Sequence, residues 1–491
     1  MNSVRWLCLL AFVLPSLSFA QEDLYGQMKG RLDAGSLPLV NLVVDVASVN
    51  TTDYVQAEME IADYQRRTDP ESETVRFRCK LRYRGASSTG YHKKSFAVKL
   101  YDEAGEDLDA NLFGIRKENS WILDAMAIDR IRMRNRVCFD VWNEMSRTPY
   151  ETSYGQRNGT EGLFVEVFLN GTYHGLYCLT DKIDRKLLGL KKVKAEGDEV
   201  NVRGLLYKGE VWNNYTDIYL RSYRTAPTDT DKWNAWELQY PDDYPGIDTW
   251  QPLMDLIDYC SARTSDKDFV SSYAEHFYKE NLAEYLLHAL ALHVEDNLYK
   301  NTFLSVVDIT KGHRFMLTPW DMDMSLGGNW DGKHNETLAT INAYNSRAPF
   351  NRLVGRNVDG FVDRLTELWE AYYATLFHPD SIAERLDRYA NMFEASGAWE
   401  REYNKWNMDP VPLRASVEEE TDYVKHWYVK NHESLCSQFG TVPVYTAIDE
   451  ARESVPGAAV YTIDGRKVNQ SDPHRLPKGI YIIEGRKIIV R

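Results

Sequence analysis

The chain has little of what marks several common functional classes. Only six of its 491 residues are Cys, and no two stand at metal-ligand spacing. Cys8 falls in an N-terminal apolar run. The other five, Cys79, Cys138, Cys178, Cys260 and Cys436, form an odd, widely spaced set. That pattern excludes a disulfide framework and a cysteine zinc site, and it predicts buried thiols. No apolar run beyond the N-terminus is long enough to span a bilayer. Surplus positive charge is missing as well: the formal net charge is −15. A general nucleic-acid partner is therefore excluded, because backbone phosphates need clustered Lys and Arg. A nucleotide in a locally basic cleft remains compatible with that balance. There is no long low-complexity tract, no strong internal repeat and no G-x-G-x-x-G phosphate loop.

What is present begins with an address. Arg5 precedes WLCLLAFVL, and SLSFA supplies small residues before Gln21. This reads as a secretory signal peptide, residues 1–20, cut after Ala20. Its removal takes one Arg and no acid, so the charge becomes −16. The remaining length and 43% hydrophobic content suffice for one large or two linked domains with real cores.

Strand signals come first. LPLVNLVVDV, from Leu37 to Val46, predicts a buried strand. From Thr74 to Arg84 the residues alternate: Val75, Phe77, Cys79, Leu81 and Tyr83 against Arg76, Arg78, Lys80, Arg82 and Arg84. That is a half-buried strand with a basic face. The turn RGASSTGYHKK leads into a second strand, SFAVKL, which carries Lys99. FVEVFL-NG-TYHGLYCL predicts a hairpin, with Asn170-Gly171 supplying positive φ. Between these strands, Asp129 to Met145 reads as a helix rich in Arg, more suited to salt bridges with nearby acids than to phosphate. From about Thr249 to Gln438 the pattern is helical, with His293 on an apolar stripe as a packed core residue. The last fifty residues change to short strands separated by Asp-Gly, Lys-Gly and Glu-Gly turns. They predict a small separate β module, residues 442–491.

The stretch from Asp296 to Asp323 carries the chemistry. DNLYKN places Asn301 five residues after Asp296. A predicted hairpin, FLSVVDI-TKG-HRFMLTPW, then delivers Asp321 and Asp323. Phosphoryl transfer needs neutralised phosphate charge, hard cations and a carboxylate that orients the attacking group. Asp and Asn are the oxygen ligands that Mg²⁺ prefers.

Arg84-Gly85-Ala86-Ser87-Ser88, Lys93-Lys94 before SFAVKL, the helix with Arg134-Asn135, EVFLNGTYHGLY, DNLYKN and PWDMD occur in this order. Together they resemble the spore-coat protein H (CotH) kinase family. The resemblance implies an α+β, atypical protein-kinase-like two-lobed fold over residues 21–438. It has a β-rich N-lobe at about 37–190 and a helical C-lobe at about 245–438. It implies ATP and Mg²⁺ (or Mn²⁺) as cofactors and Ser or Thr of secreted or surface proteins as acceptors. Asp296 looks like the catalytic-loop aspartate and Asn301 like its metal-binding partner. Asp321 looks like the metal-chelating aspartate, with Asp323 as alternative or second ligand. Lys99 would pair with nucleotide phosphates, with Lys94 as competitor and Glu144 as one candidate acidic partner. Arg84 and Ser87 sit where a phosphate-covering turn would be. The tail, through VYTIDGRKV, LPKGIYII and the closing KIIVR, resembles the sorting domain of the bacterial type IX secretion system. It implies the export machinery as a partner.

The chain departs from ordinary kinases at three points. His293 lies three residues before the catalytic Asp rather than two, D-M-D replaces D-F-G, and the Gly-rich loop is missing. Two other functions therefore stay open: an inactive kinase-fold surface or adhesion protein, and a carbohydrate-active enzyme using two of these Asp residues as acid and base.

Overall fold

In a computed structural model, the structure describes residues 23–196, 199–211, 220–341 and 348–443, and beyond them 460–462, 465–468, 476–483 and 486–490. The expected leader and its cleavage point lie outside the described residues. Seven strands close a barrel: β1 (Leu39–Val43), β2 (Val55–Ala62), β3 (Thr74–Arg84), β4 (Ser95–Tyr101), β5 (Ser120–Asp124), β6 (Gly162–Leu169) and β7 (Thr172–Thr180), in the spatial order β1-β6-β7-β5-β4-β3-β2. All neighbours are antiparallel except β1 and β6. The interior is filled by Leu42, Ile61, Cys79, Leu81, Val98, Trp121, Val167 and Tyr177.

The strand patterns follow from what covers the outer face of each strand. In β3, Cys79 and Leu81 are fully buried while the basic residues between them stay partly exposed, because that face meets solvent. In β6 and β7 the burial is nearly continuous. There the outer-facing Phe164, Leu176 and Cys178 belong to a second core, shared with the helices. Phe164 meets Tyr389 and Phe393 edge-on, at 4.9 and 4.7 Å between centroids. Strands buried on both faces lose the polar half of their alternation. The β6–β7 turn is Asn170-Gly171, with φ of +50° and +79°, as a two-residue hairpin demands.

A short α1 spans Leu24–Lys29. The helix expected over 129–145 is shorter: α2 spans Arg134–Met145. Asp129 sets its start. The Asp129 carboxylate accepts the N–H groups of Ile131, Met133 and Arg134 at 3.0, 2.7 and 2.7 Å, so these donors are satisfied without helix. Arg132 is left-handed, at φ +57°. The arginines are salt-bridged, as their sequence context suggests: Arg132 to Glu402, Arg134 to Asp129 and Arg136 to Asp140.

Helices α3 (Ile247–Cys260), α4 (Asp266–His276), α5 (Lys279–Leu292), α7 (Phe361–Tyr372), α8 (Pro379–Ala395), α9 (Ala398–Trp406) and α10 (Glu418–Phe439), with a short α6 (Phe350–Gly355), build the rest. They pack on a second sheet that the sequence did not reveal. The strands β8 (Leu205–Gly209), β9 (Lys232–Trp233) and β10 (Trp236–Tyr240) join the expected hairpin, β11 (Thr302–Val306) and β12 (Met316–Pro319), in the order β9-β10-β8-β11-β12. In the tail, strands 460–462, 467–468, 479–483 and 486–490 form a four-stranded antiparallel sheet. All five described cysteines are buried and unpaired. Among the described residues, no helix is long and apolar enough to cross a membrane.

Candidate active site

The acidic stretch is folded between α5 and the β11–β12 hairpin. α5 ends at Leu292, and His293 turns the chain in the left-handed region, φ +53°. Its ring packs on Trp427, and burial lowers its pKa to about 4, so it is a neutral core histidine. Asp296 opens a single 3₁₀ turn. Asn301 follows at φ +54°, and Asp321 sits after β12 at φ +55°. Left-handed non-glycine residues cost on the order of 1 kcal/mol each and persist where the surroundings dictate them. Here the surroundings are explicit. Asn301 donates its N–H to the Gly209 carbonyl, and its own carbonyl receives the Trp320 N–H, each at 2.9 Å. Asn297, 2% exposed, donates Nδ2 to the carbonyls of Asn301 and Trp320 at 2.8 and 2.9 Å. The Asp296–Asn301 loop and the Asp321 segment are thus held to one another.

That stapling brings the expected oxygen donors together. Asn301 Nδ2 lies 3.3 Å from Asp296 Oδ2 and 3.4 Å from the Asp321 carbonyl, and the amide oxygen Oδ1 is left for another partner. Lys300 bridges Asp296 Oδ2 at 3.0 Å. Burial raises the Asp296 carboxyl, and Lys300 opposes it. Asp321 has an accessible side chain, though its surroundings are dense. Burial first, and the Asp124 charge second, push its carboxyl up, against Lys208, Arg84 and Lys300. Asp323 is raised strongly, by burial and then by Asp321 and Asp124. Carboxylates crowded in this way favour a divalent cation as the partner that restores their charge.

The facing wall is the outer surface of the barrel. Arg84, Ile122, Asp124, Asn135, Arg136, Thr180, Trp320 and Asp321 are among the residues lining one cleft. Arg84 places its guanidinium 5.5 Å from the Trp320 ring centre. Lys99 points the same way from β4 and lies 5.3 Å from the Tyr54 ring centre. Lys182, just past β7, has its amine pKa lowered by burial and then by the charges of Lys99 and Arg84, with Tyr54 and Asp184 opposing. Arg84, Lys99 and Lys182 form a cation group with no salt bridge to an acid among the described residues.

The remaining lysines and the turn behave differently. Lys94 donates Nζ to the carbonyls of Thr89 and Tyr91 at 2.6 and 2.7 Å, closing its own turn. Lys93 is fully buried against Glu402 at 2.6 Å. Ser87 is exposed in the 3₁₀ turn Ser87–Gly90. That turn needs Gly85: φ is +121°, and a Cβ there would stand 2.0 Å from Ser88 Oγ. Glu144 pairs with Arg385 at 2.6 Å, not with a lysine of the cleft. So Arg84 and Lys99 are grouped with Lys182; Asp296, Asn301, Asp321 and Asp323 are grouped together; Lys94 and Ser87 join neither set through their side chains.

The donor chemistry suits a hard cation shared with a ligand. Among the described residues, no three His, Cys, Asp or Glu side chains converge as a metal cage. The carboxylates of Asp321 and Asp323 and the Asn301 amide oxygen would instead supply a partial shell, of the kind Mg²⁺ uses when phosphate oxygens complete it. Sequence reasoning missed Lys182, Lys300, Asp124 and Asn135. Lys300 and Asn135 lie inside quoted motifs, DNLYKN and Arg134-Asn135, but spacing gave them no role. Asp124 and Lys182 carry no local signal; barrel closure alone brings the ends of β5 and β7 to this cleft.

Residues 81–435 match the family model described as CotH kinase protein. The match spans most of the chain, the barrel strands from β3 onward and the helices to α10, and the chain belongs to the CotH kinase family. A search of the curated proteins found no match.

Proposed function

We propose that this chain is an exported atypical kinase that transfers phosphate from Mg-ATP to Ser or Thr hydroxyls of secreted or surface proteins. One observation carries the reading. Arg84, grouped with Lys99 and Lys182 and with no salt bridge to an acid among the described residues, lines one cleft with Asp321, grouped with Asp296, Asn301 and Asp323, in a chain of net charge −15. Cations clustered without salt-bridge partners are costly unless an anion sits among them. A polyphosphate supplies that anion, and its cation satisfies the acids opposite.

Family membership supports a kinase-like protein; the roles of individual residues are our assignment. Asn301 Oδ1 and the carboxylates of Asp321 and Asp323 would hold Mg²⁺, which neutralises phosphate charge when bound. Arg84, Lys99 and Lys182 would grip the phosphate oxygens from the barrel wall. Asp296 would orient the acceptor hydroxyl and receive its proton. Its Oδ2 is occupied by Lys300 and Asn301, which leaves Oδ1 for that hydroxyl. The leader and the tail sheet support export. The two-lobed arrangement implied by the family would be the barrel and the helical portion with its own sheet.

The test is transfer of labelled γ-phosphate to secreted proteins by the full chain and by Asp296→Ala. The reading predicts label on Ser or Thr with the wild type and a loss of at least a hundredfold in the variant. Equal labelling by wild type and a folded Asp296→Ala refutes it. Mg-ATP binding without any transfer favours instead the inactive kinase-fold scaffold.

A further inference from the structure

We infer that Asn135 is a positioning residue: from the wall opposite, it fixes the backbone of the metal-holding segment, and the carboxylate of Asp124 sets the direction of its amide. The inference rests on reading the cleft as a Mg-nucleotide site.

Asn135 is the second residue of α2. Its Oδ1 accepts the N–H of Met322 at 3.0 Å, and its Nδ2 donates to Asp124 Oδ2 at 3.3 Å. Met322 stands between the two proposed ligands, Asp321 and Asp323. Its side chain is fully buried, so the segment is anchored by a packed side chain and by one N–H at the same residue. Rotation about that residue would carry both carboxylates with it.

Asp124 removes the ambiguity of the amide. A carboxylate only accepts, so the NH₂ end of Asn135 must face it and the carbonyl end must face Met322. Asp124 is itself held. Its Oδ1 accepts the Met126 N–H at 3.1 Å and the Ser95 hydroxyl at 3.3 Å, and Ser95 Oγ accepts the Ala125 N–H at 2.9 Å. The relay Ser95–Asp124–Asn135–Met322 therefore joins β4 and β5 of the barrel, the start of α2 and the Asp321–Asp323 segment. Few other side chains present one donor and one acceptor at this reach. Groups that orient metal ligands from behind typically change metal affinity by about 10–100-fold when removed.

The experiment uses the full chain with a non-hydrolysable ATP analogue at saturation. Free Mn²⁺ is followed by electron paramagnetic resonance for wild type, Asn135→Ala, Asn135→Gln and Asp321→Asn. Binding of the analogue without metal and the ligand-free melting temperature are measured alongside. Asn135→Ala is expected to weaken Mn²⁺ about 10–100-fold, with metal-free analogue affinity unchanged and half-saturating Mg²⁺ raised in turnover. A merely structural role would lower the melting temperature and leave Mn²⁺ affinity per folded molecule alone. Should Asn135→Ala fail to fold, Asn135→Gln decides, because it keeps both polar groups and displaces them by about one methylene. Mn²⁺ affinity within twofold of wild type in the folded variant overturns the inference while Asp321→Asn still loses the metal. A wild type that binds no Mn²⁺ beside the analogue refutes the nucleotide-site reading, and the inference with it.

Discussion

The buried charge cluster where α9 meets the barrel gives a sharp test of how the two parts are joined. The side chains of Lys93, Arg132 and Glu402 are all 0% exposed. Glu402 Oε1 accepts from Lys93 Nζ at 2.6 Å and from Arg132 Nε at 2.8 Å, and its Oε2 accepts the Leu176 N–H at 2.8 Å. Two cations thus share one carboxylate, and the cluster carries one surplus positive charge. Burial draws the Lys93 amine down to about 7 despite Glu402 beside it, and it draws neighbouring His174 down to about 3. Removing Glu402 as Glu402→Ala strands two buried cations, which should cost about 3–5 kcal/mol. Removing the surplus cation as Lys93→Met leaves a one-to-one Arg132–Glu402 pair and keeps the volume, so it should cost about 1 kcal/mol or less.

The assay is urea unfolding of both variants, read as the shift in midpoint at constant slope. The pH dependence supplies a second readout. The folded amine titrates near 7 and the unfolded one near 10.5. Between those values the folded state binds fewer protons, so raising the pH favours folding. Wild-type stability should therefore rise over that window, by at most about 1.4 kcal/mol per pH unit, and Lys93→Met should lack the rise. Equal losses in Lys93→Met and Glu402→Ala would refute the surplus-charge reasoning. Loss of nucleotide binding in a stable Lys93→Met would show instead that this lysine serves the phosphates.

Three further outcomes follow from the same structure. Lys182→Ala should weaken Mg-ATP about tenfold, roughly 1.4 kcal/mol, with an unchanged melting temperature, by calorimetric titration. Glu284, raised to about 7 chiefly by burial and opposed by the Ser146 hydroxyl, holds a proton that the unfolded chain releases near 4.5. Stability should fall as pH rises between those values; Glu284→Gln should remove the slope and add roughly 1–3 kcal/mol at pH 8, by thermal melts across pH. Cys79, Cys138 and Cys178 are buried with thiols pushed up to about 12, so a thiol reagent should label none of them before unfolding.

Much of the barrel was legible because its solvent-facing strand keeps a two-residue period. In β3 a fully buried Cys79 and Leu81 alternate with Arg and Lys, and the Asn170-Gly171 turn fixes a hairpin through φ angles that few other residues adopt cheaply. The hairpin β11–β12 was readable for similar reasons. The start of α2 was not, because Asp129 satisfies three N–H groups from a loop that carries the same Arg-rich pattern as the helix. The sheet built on β8 to β10 was missed because its short strands gain their partners from a segment about a hundred residues later.

The site divides in the same way. Sequence alone singled out the oxygen donors: Asp296, Asn301, Asp321 and Asp323 are near enough along the chain for order and spacing to be read. It also offered Lys99, with Lys94 as competitor, for the phosphates, and Arg84 in the covering turn. Tertiary structure decided that Lys93 is a buried strut, that Lys94 closes its own turn, and that Lys99 and Arg84 share a face with Lys182. It also brought Asp124 and Asn135, on the facing wall, against the Asp321–Asp323 segment. The physical reason is that a charge acts through distance and dielectric. Neither is set by position in the chain until the barrel closes and the helices cover one of its faces.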